Sequence, residues 1–99
     1  MLIVAGYGRV LPESRGAFAA AVRDVVIPTR GETGCASYTF YWDILDPNAF
    51  HVFEEWSGNE SLDAHLQTAH VQDFFAALGG LIDGPPTVTR YEVSSTRPL

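Results

Sequence analysis

The sequence predicts a single α+β domain, a four-stranded antiparallel sheet with helices packed on it, in the order β-α-β-β-α-β. Three observations predict it. An amphipathic helical stretch separates two strand-like stretches, and the tight turn Asp46-Pro47-Asn48 joins two strands rich in aromatic residues. A second helical stretch then leads into a last strand at residues 87–95. That order is the split βαβ, or ferredoxin-like, unit. At 99 residues the chain forms one domain over 1–99, with no room for a second core.

Each element has a local cause. Residues 2–11 are strand-like, weakened by Gly6 and Gly8. Phe18, Ala21, Val22, Val25 and Val26 then fall at helical spacing between Pro12 and Pro28. Thr29 to Gly34 reads as a loop, and 35–45 as a strand carrying Tyr38, Phe40, Tyr41 and Trp42. Residues 49–56 return as its hairpin partner. Ser57-Gly58-Asn59-Glu60 has capping-box spacing and predicts a helix start. Leu62, His65, Leu66 and Ala69 share a face of that helix. His70 ends that helix, and a continuation carries Val71, Phe74, Phe75 and Leu78, again at helical spacing, until Gly79-Gly80.

Composition excludes several functions. Twelve acidic residues oppose six arginines, lysine is absent, and the net charge is −6. Binding to nucleic acid or to an anionic membrane is not expected, because phosphate contacts need clustered cations. Without lysine no side chain can form a Schiff base. Cys35 is the only cysteine, so there is neither an internal disulfide nor a thiolate cluster. The chain starts in a strand with no basic leader, and no apolar run approaches the ~20 residues that span a bilayer. A cytoplasmic protein is the expectation.

Strand alternation sorts the side chains. Phe50, Val52, Glu54 and Trp56 share one face of their strand, and His51, Phe53 and Glu55 the other. Helices can cover only one face of such a sheet. The other keeps aromatic residues, which predicts a homodimer built sheet on sheet about a two-fold axis.

The chain resembles the antibiotic biosynthesis monooxygenase family. The residues that carry the likeness are Glu32-Thr33-Gly34-Cys35-Ala36-Ser37-Tyr38, Glu54-Glu55-Trp56, Ser61-Leu62-Asp63-Ala64-His65-Leu66 and Ala69-His70-Val71. Asp46-Pro47-Asn48 and Arg90-Tyr91-Glu92-Val93 add to it. The resemblance implies a dimeric ferredoxin-like barrel with a pocket between sheet and helices in each subunit. It implies one of several activities: oxidation of quinols or polyketide anthrones by O₂ without a cofactor, haem degradation, or rearrangement of small molecules. Haem-degrading members carry an axial histidine where this chain has Phe75. They also use an asparagine on the first strand, and residues 2–11 contain none. That argues against haem here.

The candidate residues cluster at the strand-to-helix junction. Trp56 either stacks a planar substrate or fills the core. Glu54 faces the helices, where an unpaired carboxylate costs on the order of several kcal/mol. It needs a raised pKa, suited to acid–base work, or a cation such as Arg9 or Arg90. His65 lies on the apolar stripe, as a base or as a core histidine. His70 is either catalytic or complements the helix dipole. His51 faces away and carries little weight. A metal is not expected, since His65 and His70 are five apart and no third ligand is evident. Tyr38, with Phe74 on the later helix, completes the expected substrate contacts. Cys35 reads as a small buried hydrophobe.

The expected function is a cofactor-independent monooxygenase that oxidises a small planar phenolic, quinol or anthrone-like substrate, with O₂ as co-substrate. His65, then His70, or else Glu54 supplies the base. The alternatives are an isomerase or lyase using the same pocket, and a non-catalytic dimer that binds a small ligand.

Overall fold

A computed structural model describes all 99 residues. In chain order it contains β1 (Leu2–Arg9), a 3₁₀ turn (Pro12–Ser14), α1 (Arg15–Thr29), β2 (Cys35–Trp42), β3 (Ala49–Trp56), α2 (Asn59–Leu66), α3 (Ala69–Leu78) and β4 (Thr87–Glu92). The strands lie in the order β2-β3-β1-β4, and every neighbouring pair is antiparallel. This is the ferredoxin-like arrangement. α1 carries the chain from β1 to β2 and leaves a gap that β3 fills, while α2 and α3 carry it from β3 past β1 to β4.

The register decides what faces the helices. Leu2 pairs with Trp56, Val4 with Glu54 and Gly6 with Val52 on one side of β1, and with Glu92, Arg90 and Val88 on the other. Alternation therefore puts Val4, Glu54 and Arg90 in one row across the helix-facing side, as it does for Tyr38 beside Glu54. Leu2, Val4, Val25, Val26, Tyr38, Trp56, Leu62, Val71 and Phe74 form the main core. A smaller cluster of Val10, Phe18 and Phe50 closes the far end. Tyr7, Tyr41, Phe53 and Tyr91 sit on the opposite, uncovered face, between a third and three-fifths exposed.

Four local expectations are corrected. β2 stops at Trp42, and the hairpin begins early because the Asp43 carboxylate accepts the Leu45 N–H. β4 likewise ends at Glu92. The helix start shifts by one residue: Gly58 is the cap, and Ser61 Oγ accepts its N–H, while the Ser57 hydroxyl bonds to that of Ser61 at 3.1 Å. Most important, the long second helix is two helices. Thr68 interrupts it by offering the backbone a competing partner: its hydroxyl donates to the His65 carbonyl at 2.7 Å and accepts from Val71 N–H. His70 therefore lies in the first turn of α3 rather than at the C-terminal end of a helix. There the dipole opposes a cation, so the expected dipole role does not hold.

Gly34 fixes the junction on which the site depends. Its φ is +83°, and a Cβ there would lie 2.5 Å from Ser61 Cβ and 2.6 Å from Ser57 Oγ. Its carbonyl also accepts the Ser57 N–H at 2.8 Å. The start of β2 is thus pressed against α2, which brings the loop holding Glu32 to His65. Gly34→Ala is expected to lower unfolding free energy by about 1–3 kcal/mol, read as a lower denaturant midpoint at unchanged m-value.

Candidate active site

A cavity of about 600 Å³ lies between the helix-facing side of the sheet and α2 and α3. Its floor is formed by Val4, Tyr38, Phe40, Phe50, Val52 and Glu54, and its walls by Leu62, His65, Leu66, Phe74, Phe75 and Leu78. Pro86, Val88 and Arg90 border it on the β4 side. A chamber of that volume lies in the range of small-molecule pockets. Its polar groups gather where β2, β3 and α2 meet.

His65 is the centre of that end. The ring is 3% exposed, lies 4.6 Å from the Trp56 ring and stands edge-on to Tyr38 at 5.3 Å, centroid to centroid. Its Nδ1 is 2.8 Å from Glu32 Oε2. Nε2 has no partner within the chain, and it is not among the sealed, unsatisfied atoms. A carboxylate on Nδ1 sets the tautomer with the proton there and leaves Nε2 as an acceptor toward the cavity. Burial pushes the Glu32 carboxyl up, but hydrogen bonds from His65 and His70 and their charge more than offset it, so the net effect is a lowered pKa. Glu32 is ionised at neutral pH and can stabilise an imidazolium.

Glu54 has the opposite environment. Burial pushes its carboxyl up to about 7, against a stabilising hydrogen bond from the Trp56 indole N–H at 2.9 Å and with the Glu32 charge adding to the rise. Neither arginine reaches it. Arg9 pairs with Asp46, and Arg90 donates to Asn59 at 2.8 Å and to Asp63 at 3.1 Å. Glu54 is therefore a carboxyl near half-protonation at neutral pH, 7% exposed, on the cavity floor. Burial, then the Glu54 and Glu32 charges, hold the Tyr38 hydroxyl far above its ordinary pKa, so it remains neutral.

The structure brings His65, Glu54, Tyr38 and Phe74 together around one cavity. It does not bring Trp56 or His70 to that cavity. Trp56 is completely buried and offers no open face for stacking; it packs against His65 and holds Glu54 through its N–H. His70 reaches Glu32 Oε2 from the other side, also at 2.8 Å. His51 pairs with Asp43 on the uncovered face. Burial, then the Glu32 and Glu54 carboxylates, push the Cys35 thiol up, which keeps it unreactive.

No sequence pattern marks Glu32 as a site residue. Its partners are 33 and 38 positions away on two helices, and no periodicity links an acid in a loop to them. The one available signal is its place beside Gly34, where the left-handed turn forces a close approach to α2.

A ferredoxin-like sheet with a cavity under its helices sets the class of fold, and sequence comparison gives the family. The family model for antibiotic biosynthesis monooxygenase matches residues 1–77. The protein sll1783 of Synechocystis is 34% identical over 98 residues, covering 99% of this chain and 67% of that protein. YcnE of Bacillus subtilis is 32% identical over 94 residues, 95% of this chain and 99% of its own length. The solved structure of Rv0793 from Mycobacterium tuberculosis superposes with a TM-score of 0.89 at 28% identity, covering 96% of each chain. The chain belongs to the antibiotic biosynthesis monooxygenase family. No helix is long and apolar enough to cross a membrane.

Proposed function

We propose that this protein is a cofactor-independent monooxygenase that oxidises a small planar phenolic, quinol or anthrone-like substrate with O₂, and works as a homodimer joined through its uncovered sheet face. The observation that carries this reading is the pairing of a Glu32-oriented His65 with a protonatable Glu54 in one apolar cavity. The row of exposed Tyr7, Tyr41, Phe53 and Tyr91 supports the dimer.

The chemistry follows from those groups. The substrate lies flat against Phe40, Phe74 and Val52, with its acidic O–H or C–H toward His65 Nε2. Nε2 takes the proton, and Glu32 stabilises the imidazolium. In the apolar cavity the anion is poorly solvated and gives its electrons to O₂, forming a carbon–oxygen bond and a peroxide anion. Glu54, in its protonated form, supplies the proton that makes the hydroperoxide. Loss of the second C–H proton breaks the O–O bond and releases water. For an anthrone the balance is a CH₂ group plus O₂ giving a C=O group plus H₂O.

Isotopic oxygen tests the reading. Turnover under ¹⁸O₂ is expected to place one labelled atom in the product carbonyl and the other in water. Product formation at an unchanged rate without O₂ would instead establish an isomerase or lyase acting through the same pair.

A further inference from the structure

We infer that Glu32, His65 and His70 form a binding site for one divalent transition-metal ion of the Zn²⁺ class, set behind the cavity wall. Along the sequence, a five-residue spacing on one helix and the lack of a third ligand argue against a metal. Neither condition holds in the fold. The two histidines stand on different helices, separated by the break at Thr68, and the loop after α1 delivers a carboxylate between them.

The geometry fits a cation. Glu32 Oε2 is 2.8 Å from His65 Nδ1 and 2.8 Å from His70 Nε2, and all three donor atoms lie within 4.8 Å of one another. Tetrahedral ligands bound at about 2.1 Å stand roughly 3.4 Å apart. The carboxylate must therefore move out from 2.8 Å, and the two histidine nitrogens, within 4.8 Å of each other, must draw together by side-chain rotation for all three to hold one ion. Two imidazoles and a carboxylate select zinc-class ions over calcium or magnesium, which prefer all-oxygen sets. Glu32 and His70 keep 17% and 24% side-chain exposure, so the ion has an entry path and water can fill its remaining positions.

Occupancy has a consequence for the cavity. An ion on Nδ1 moves the His65 proton to Nε2, which turns the cavity-facing nitrogen from acceptor into donor. Metal binding and proton abstraction by His65 then exclude each other. This consequence rests on the oxygenase reading, whereas the site itself does not.

The test reads binding directly, without substrate. Chelator-stripped full-length protein is titrated with Zn²⁺ by calorimetry and with Co²⁺ by visible ligand-field absorption. The wild type is expected to bind one ion per chain with Kd on the order of micromolar or tighter. Glu32→Gln and His70→Ala, folded by circular dichroism, are expected to weaken it by more than about 100-fold, beyond the loss of a mere outer-shell contact. His51→Ala, which disrupts only the exposed pair with Asp43, should bind as the wild type does. No stoichiometric binding, or binding that survives both ligand substitutions, would overturn the site. Stoichiometric metal binding with no oxygen chemistry even in the metal-stripped protein would sink the functional reading alone, and oxygen chemistry without metal binding would sink this one alone.

Discussion

His65→Ala is expected to lower the turnover number by about 10²–10⁴-fold, the usual contribution of a positioned general base. Substrate affinity should change little, because the cavity's contact area comes from the phenylalanines and valines around it. The loss therefore appears in kcat rather than KM. Glu32→Gln is the sharper companion. A glutamine can still reach Nδ1, but its amide carries no charge to stabilise the imidazolium and can present an N–H that selects the wrong tautomer. A drop of about 10²-fold or more with a native melting curve marks Glu32 as the residue that orients His65. If His65→Ala keeps wild-type turnover of an oxidised substrate, the base lies elsewhere, and Glu54 takes its place.

Glu54→Gln is expected to make the protein more stable above neutrality. The ordinary carboxyl value of 4.5 describes the unfolded chain, and burial pushes it up to about 7 in the fold. The folded state thus holds the Glu54 proton more tightly than the unfolded state does. The resulting stabilisation is fully present below pH 4.5 and is lost as pH rises through about 7. Over that window it amounts to on the order of 3 kcal/mol. Glutamine keeps the oxygen that accepts the Trp56 N–H and never ionises, so the variant should escape the loss. Glu32 runs the other way, since its lowered pKa gives stability that is lost as pH falls below the ordinary carboxyl range. Denaturant melts of wild type and Glu54→Gln from pH 4 to 9 should therefore diverge above pH 5, with the variant more stable. Parallel curves would mean that Glu54 titrates normally in solution. The same titration predicts that wild-type turnover declines above about pH 7 as the acid is lost, with the decline absent in a slower Glu54→Gln.

The sheet was legible because its evidence is local. Period-two alternation in 49–56 correctly assigned Phe50, Val52, Glu54 and Trp56 to the covered face, and Pro47-Asn48 marked the hairpin. The same alternation exposed Glu54 as a carboxyl in trouble, which its environment bears out. What failed depends on single atoms. The break at Thr68 is set by one hydroxyl bonding in two directions, while the apolar pattern runs through it unchanged from Leu62 to Leu78. Trp56 has the same face as Glu54, but alternation says nothing of depth, and His65 packs over the indole and seals it from the cavity. Glu32 is the largest omission. Its role comes from two contacts across more than thirty residues, and only the fold supplies those.

If the proposed function holds, this chain's own acid–base groups suffice for oxygenation. The most direct test is O₂ uptake by metal-stripped wild-type protein against a panel of dihydroquinones and anthrones, with His65→Ala measured beside it. Uptake is expected to stand well above autoxidation in the wild type, with one O₂ consumed per product, and to return to background in the variant. Uptake that requires an added metal, or that His65→Ala performs equally well, would contradict the proposed function.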